Sequence, residues 1–340
     1  MISKNQSQSD SLIIKTAEGL YCPKAKAHLD PWRPVDCALI THAHADHARG
    51  GSQKYHCAES GAGLLRARLG DVQIIPHAYG EPFPLNNVTI SFHPAGHVLG
   101  SAQIRIDDGN SVWVLTGDYK RSHDPTCEPF EPIICDVLIT EATFALPIYR
   151  WPLIDEVMER IFSWWDSNIR SGRTPVLLCY SLGKAQRIMA EIQNRSERSV
   201  RVHGAIAALN PYYERENVSL CPWEIVTKSN QKKSSDLIIV PPQVSDSAFM
   251  KQFQPAELAM ASGWMQVRGV RRRASINQGF VISDHADWDG LIQTIQESKA
   301  RRVLATHGET RVLTQYLNET LGIQAERLET VFGLADGIDQ

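Results

Sequence analysis

The sequence contains no CxxC pair. Its seven cysteines (Cys22, Cys37, Cys57, Cys127, Cys135, Cys179, Cys221) are odd in number and scattered singly, which argues against both a disulfide framework and a zinc ribbon and leaves reduced, mostly buried thiols as the default. No run of about 18 apolar residues is present that would span a bilayer, and the first ten residues, MISKNQSQSD, lack the apolar core of a signal peptide. A cytoplasmic protein with no membrane partner is expected. An excess of one charge is missing as well. With 35 Lys and Arg against 38 Asp and Glu the net charge is −3, so any polyanion must be held by a local cluster rather than by a general field. Internal repeats and low-complexity segments are absent.

What is present is a globular composition, 340 residues with 43% hydrophobic and 21% charged, enough for two domains of ordinary size. The first half reads as short strands with tight turns: "DCALIT" (36–41), "DVQIIP" (71–76), "VTISF" (88–92) and the hairpin "AQIRI-DDGN-SVWVLTGD" (102–118). Its clearest helix is "SGAGLLRARLG" (60–70), with Ser60 as N-cap and Gly70 just past the end. From residue 151 the period changes. Leu153, Ile154, Val157, Ile161, Phe162 and Trp165 recur at helical spacing behind Pro152. The strands "TPVLLCYS" and "DLIIVPP" then flank the helix "LGKAQRIMAEIQ", so 151–277 reads as a Rossmann-like α/β insert. After it the chain returns to strand, helix, strand, helix through "GFVIS", "DWDGLIQTIQES", "RRVLATHG" and "TRVLTQYLNETLG".

Within "THAHADH" (41–47), three of the chain's twelve histidines and one aspartate fall in seven residues. Crowded and unpaired, such groups would desolvate or repel one another, and a metal ion is the simplest resolution. Side chains at i and i+2 of a strand share a face, so His42 and His44 converge at the exit of "CALIT", while Asp46 and His47 turn slightly away. Four groups so placed suit two adjacent ions better than one. Further donors stand where other strands end: His97 in "HPAGHVLGSA" and Asp118 in "LTGDYK". A carboxylate such as Asp118 has two oxygens with which to bridge two cations, and one such as Asp30 can orient a ligand histidine from behind.

The order HxHxDH, then His, then Asp resembles the metallo-β-lactamase superfamily. The resemblance extends to its nucleic-acid branch, the β-CASP group, through Glu141 in "VLITEATF", the 151–277 insert, His285 in "ISDHADW" and His307 in "LATHGET". It is narrowest to the bacterial DNA ligase-associated exonucleases of that group, relatives of mRNA 3′-end-processing nucleases. The stretches that carry it are "GLYCP", "DPWRPVDCALITHAHADHARGG", "HPAGHVLGSAQI", "YSLGKAQR", "ASGWMQVRGVRRR" and "GFVISDHADWDGL". The resemblance implies an α/β fold, the metallo-β-lactamase αββα sandwich with an inserted Rossmann-like β-CASP domain. Its parts would be residues 1–150 and 278–340 for the sandwich and 151–277 for the insert. It implies one metal on His42, His44, His97 and Asp118, and a second on Asp46, His47, Asp118 and His307. Asp46, Glu141 and His285 would be the catalytic groups, with Asp30 behind the ligands. Zinc suits the thiolate-free donor set, with manganese as the alternative.

The activity so implied is two-metal hydrolysis of phosphodiester bonds, with His285, polarised by Glu141, protonating the departing oxygen. DNA is the expected substrate, cut as an exonuclease in repair, with an ATP-dependent DNA ligase and a helicase as functional partners. RNA is the alternative, since histidine at position 307 is typical of RNA-processing members and Artemis-like DNA nucleases usually carry valine there. Nucleic-acid contacts are expected from Arg268, Arg271, Arg272 and Arg273, whose guanidiniums suit phosphates, and from Ser181 and Lys184 at a helix start. Tyr180, Trp264 and Trp288 are candidates for stacking on bases. The other histidines, His28, His56, His77, His93, His123 and His203, read as structural or surface.

Overall fold

A computed structural model describes residues 11–227, 236–269, 276 and 278–330. The first sheet uses β1 (Ile14–Lys15), β2 (Leu20–Cys22), β3 (Ala27–Leu29), β4 (Cys37–Leu39), β5 (Lys54–Ala58) and β6 (Gln73–His77) in that spatial order, with helix α1 (Ala62–Leu69) between the last two strands. A second sheet begins with the meander β7 (Phe83–Leu85), β8 (Val88–Pro94), β9 (Ala102–Asp107) and β10 (Val112–Leu115), to which β11 (Val137–Ala142) adds in parallel.

The middle of the chain makes a third sheet. It contains α2 (Ile154–Arg170), β12 (Thr174–Leu178), α3 (Lys184–Gln193), β13 (Val200–Val202), α4 (Gly204–Ala207), α5 (Asn210–Arg215), β14 (Trp223–Ile225), β15 (Leu237–Val240), β16 (Ala256–Ala261) and β17 (Gln278–Phe280). The strand order is β14-β13-β15-β12-β16-β17 and every pairing is parallel. The chain then returns to the second sheet with α6 (Trp288–Ser298), β18 (Arg302–Gly308), α7 (Thr310–Glu319) and β19 (Gln324–Arg327), giving the order β19-β18-β11-β10-β9-β8-β7.

Strand periodicity accounts for the layers. Along β10 and β11, Trp113, Leu115, Val137 and Ile139 point into a core shared with Leu20, Leu29 and Leu39 of the first sheet. Their neighbours Val114 and Leu138 point the other way, into a core with Leu291 and Ile295 of α6 and Leu313 and Leu317 of α7. On the far side of the first sheet Ala38, Tyr55 and Cys57 pack with Leu65 of α1. Two sheets therefore face each other with helices on both outer surfaces. Each fully buried side chain of the Phe92 or Leu39 kind contributes roughly 1.5–3 kcal/mol. The third sheet is covered on both faces, Leu177 and Ile239 meeting α2 and α3 while Val176, Ile238 and Val240 face Met250 and Phe253. That is why its strands read as unbroken apolar runs.

Three sequence expectations are corrected. α1 starts at Ala62 with Gly61 as N-cap and no side-chain cap, so Ser60 does not serve; Gly70 does end the helix, at φ +79°. α2 starts at Ile154, leaving Pro152 ahead of its first turn. The "GFVIS" strand is the sixth of the third sheet, pairing Ala259 to Ala261 with Gln278 to Phe280, because a short apolar run announces a strand and not its partner. All seven cysteines are free and six are buried. Burial pushes the Cys179 thiol up to about 12, which keeps it unreactive near neutral pH. Among the described residues no helix is long and apolar enough to cross a membrane.

Candidate metal centre

β8, β10, β11 and β18 run in one direction in the second sheet, so their carboxyl ends share an edge. His97 follows β8, Asp118 follows β10, and Glu141 and His307 are the penultimate residues of β11 and β18. His42, His44, Asp46 and His47 follow β4 of the facing sheet, in a turn closed by the Ala48 amide donating to the His44 carbonyl at 2.8 Å. The two sheets approach closely at Gly117. Its φ is +57°, and a Cβ there would lie 2.7 Å from the Thr41 Cβ, so only glycine lets Asp118 reach the histidine turn.

His307 arrives by a bulge. Glu141 is in register with Thr306 and Ala142 with Gly308, leaving His307 as the extra residue at φ +51°. Such a bulge re-aims a side chain at the cost of local strain. Its ring stacks on that of His47, centroids 5.2 Å apart.

Four imidazoles each turn one nitrogen toward Asp118 while the other is held from behind. His42 Nδ1 donates to Thr41 Oγ1 at 3.0 Å, and that hydroxyl donates to Asp30 Oδ2 at 2.6 Å. His47 Nδ1 donates to the same Asp30 oxygen at 2.7 Å. His97 Nδ1 donates to the Asp284 carbonyl at 2.7 Å, and His44 Nε2 donates to the Leu182 carbonyl at 3.3 Å. The inward atoms are therefore Nε2 of His42, His47 and His97 and Nδ1 of His44. Nε2 of His42 and of His97 each lie 3.0 Å from His44 Nδ1. Asp118 Oδ2 lies 3.7, 3.4 and 3.8 Å from Nε2 of His42, His47 and His97.

This donor set fits a metal. Tetrahedral zinc, with nitrogen bonds of about 2.0–2.1 Å, separates ligand nitrogens by roughly 3.3 Å, close to the spacing here. Ligand atoms of His42, His44, His97 and Asp118 fall within 4.8 Å of one another, as do those of Asp46, His47 and Asp118. Asp118 belongs to both groups. Protonation agrees with ligation: burial and mutual repulsion hold His42 and His97 well below the usual histidine range, and burial lowers His44 and His307 too. His47 differs. Burial disfavours its charge, yet Asp46, Asp118 and Asp30 carry its pKa well above the usual value.

Beside the ligands, His285 Nδ1 donates to Glu141 Oε2 at 2.9 Å, and the other Glu141 oxygen accepts from the Tyr119 amide at 2.7 Å. Burial lowers the basicity of His285, but Glu141 and then Asp118 overcome it and raise the pKa to about 9. Asp118, Glu141 and His285 also lie within 4.8 Å of one another through one ligand-type atom each. A cleft of about 600 Å³ opens at His285, its wall carrying Arg121, His123, Trp151 and Arg195. A second opening of about 470 Å³ lies at His44, lined by Arg68, Tyr180, Ser181 and Gln243.

Not every expected contact is placed for substrate. Lys184 is 3% exposed and its Nζ donates to Asp284 Oδ2 at 2.6 Å, so the sequence expectation of a phosphate contact is corrected. Trp288 is core, packed on Tyr316. Trp264 packs tilted against Phe144 and edge-on to Tyr149. Ser181 does line an opening. Arg268 is exposed, and Arg271, Arg272 and Arg273 lie outside the described residues. His123, read as structural or surface, is exposed and lines the cleft. Thr41 and Asp284 were missed by sequence reasoning; their adjacency to His42 and His285 was the available signal.

No family model matches the chain. It is 31% identical over 316 residues to a protein of Opitutus terrae named probable DNA ligase, a match covering 92% of this chain and 30% of that one. It is 27% identical over 187 residues to an RNase J-like protein of Methanocaldococcus jannaschii, covering 48% and 44% respectively. Endoribonuclease YSH1 of Saccharomyces cerevisiae is 31% identical over 113 residues, covering 33% and 14%. The chain thus spans less than half the length of each of these relatives. A crystal structure of a protein of unknown function from Enterococcus faecalis V583 superposes with a TM-score of 0.60 at 13% identity, covering 87% of this chain and 79% of that one; the likeness is one of fold alone.

Proposed function

The chain belongs to the β-CASP group of the metallo-β-lactamase superfamily, and from that premise we propose that it is a nuclease hydrolysing phosphodiester bonds of DNA with two divalent metal ions. The observation that carries the proposal is Asp118, whose carboxylate belongs to both donor groups and also to the Glu141–His285 group. In this reading residues 1–150 and 278–340 form the αββα sandwich and 151–277 the β-CASP insert, the described third sheet running a few residues past that boundary. The probable DNA ligase of Opitutus terrae, matched over 92% of this chain, supports a place in DNA repair with a ligase, and a helicase is a further candidate partner.

One ion would be held by His42, His44, His97 and Asp118, the other by Asp46, His47, Asp118 and His307, with zinc preferred over manganese. When bound, such ions lower the pKa of water from 15.7 toward about 7 and neutralise the phosphoryl oxygens that repel a nucleophile. The protein's own groups do the rest. Asp30 and Thr41 lock the tautomers of His42 and His47, so that lone pairs and not N–H groups face inward. His285, kept cationic by Glu141, donates a proton from Nε2 to the departing sugar oxygen. The cleft beside it receives the strand, with Trp151 for a base; Arg121 and Arg195 on its wall are already paired with Glu297 and with Asp155 and Glu191.

RNA is the second reading, favoured by the imidazole at position 307. Digestion of end-labelled single-stranded DNA and RNA of one sequence, with Zn²⁺ or Mn²⁺ and an EDTA control, separates the two. Stepwise shortening of DNA alone supports the repair exonuclease and gives its polarity. Preferential RNA cleavage moves the protein to RNA processing, and absence of metal-dependent cleavage of either rejects the nuclease.

A further inference from the structure

Two of the inward-facing histidines are held from behind by backbone that the middle section supplies or braces. His44 Nε2 donates to the carbonyl of Leu182, in the turn between β12 and α3. His97 Nδ1 donates to the carbonyl of Asp284, and the Asp284 side chain is anchored by the first turn of α3. Lys184 Nζ lies 2.6 Å from Asp284 Oδ2, and Arg187 Nη1 lies 3.5 Å from Oδ1 while donating to the Ser283 carbonyl at 2.6 Å. Arg187 Nε also faces Asp124 Oδ2 at 3.4 Å, and Asp124 is paired with Lys120. Lys184, Arg187, Asp284, Lys120 and Asp124 are all buried. The approach is close, since a Cβ on Gly183, at φ +90°, would lie 2.3 Å from Val98 Cγ1 next to His97.

Burying five charges is costly, and a well-packed apolar substitute is often as stable. A chain that needed only to join two sheets would not require them. We infer that the segment Leu182 to Arg187 is a strut that sets the rings of His44 and His97, with Asp284 the positioning residue through which Lys184 and Arg187 act. The middle section is thereby part of the metal-holding apparatus, and not solely a wall for substrate. This rests on the two-metal reading above. Of the ligands the strut holds only His44 and His97, which belong to the first group alone, so it bears on one ion and not the other.

The test uses the full chain and Asp284→Asn, Lys184→Met, Lys184→Arg and the double variant Asp284→Asn/Lys184→Met, which removes both charges together and leaves Arg187 its Asp124 and Ser283 partners. Zinc stoichiometry and affinity come from chelator competition, and the cobalt-substituted proteins are compared by visible absorption, with melting curves establishing that each is folded. Loss of an orienting group behind a ligand typically weakens metal binding about 10–100-fold. The expected result is that scale of loss for one ion only, with altered cobalt bands in Asp284→Asn, Lys184→Met and the double variant, and recovery in Lys184→Arg. Folded variants that hold two ions with unchanged affinity and bands would overturn the inference, as would equal loss of both ions. Should either single variant fail to fold, the double variant and Lys184→Arg decide. If the native chain binds two ions but cleaves nothing, the nuclease reading fails while the strut is still judged on the metal; if it binds none, both fall.

Discussion

Replacing Glu141 by glutamine keeps the size of the side chain and an oxygen for the Tyr119 amide, but removes the charge 2.9 Å from His285. The His285 pKa of about 9 stands roughly 2.5 units above the unperturbed value of about 6.5, which at 1.36 kcal/mol per unit is about 3 kcal/mol of preference for the imidazolium. Because the folded-state pKa is raised, this stabilisation is fully present below about pH 6.5 and lost as the pH climbs through about 9. Urea unfolding of the chelator-treated protein should therefore find Glu141→Gln less stable by up to about 3 kcal/mol at pH 6, with the gap closing or reversing by pH 10. Cleavage offers a parallel reading. If the acid falls back to an ordinary histidine, its protonated fraction at pH 8 drops about 30-fold, and the alkaline limb of the rate profile moves to lower pH. Bound cations shift both profiles downward together, so the difference between the two proteins is the quantity to compare. A stability gap that ignores pH, together with an unmoved alkaline limb, would refute the pairing of Glu141 with His285 as the source of the acid.

Three more outcomes are expected, two from the described geometry and one from the arginine run of the sequence. Asp118→Ala should lose cleavage and bind less than one ion per chain in metal analysis, since one carboxylate serves both groups; two ions retained would remove its bridging role. Trp288→Ala should cost about 3–5 kcal/mol of unfolding free energy and leave nucleic-acid affinity unchanged in a filter-binding assay, because the indole is core. Reversing Arg271 and Arg272 to glutamate should weaken DNA binding and flatten its dependence on salt by roughly one unit of slope per lost phosphate contact; an unaltered slope would return that run to the solvent.

Local spacing made part of the centre legible. His42, His44, Asp46 and His47 fall within six positions of one turn, so their nearness needed only the period of a strand. His97 and Asp118 were legible as residues just past strands, since sheet edges gather such loops. Glu141, His285 and His307 are separated by long stretches, and family resemblance alone pointed to them. What escaped was inter-element geometry. Lys184 at a glycine-led helix start looks the same whether it faces solvent or a carboxylate 100 residues away, and the buried Asp284 decides the matter. The bulge that turns His307 depends on register between two strands, and the sheet joined by Gln278–Phe280 depends on pairing, neither of which leaves a mark in a single run of residues.

The pairing of β11 with β18 places Glu141 beside Thr306, neighbours in space whose codons are far apart. On a ribosome adding about 5–20 residues per second, the histidine turn emerges early, whereas the strand carrying His307 follows Glu141 by roughly ten to thirty seconds at that rate. Until then β11 has an open edge, and the whole middle section must be synthesised before the strand that closes it. The nascent polypeptide can thus gather its first candidate ligands long before the strand that carries His307 exists, so the whole centre comes together only late in synthesis.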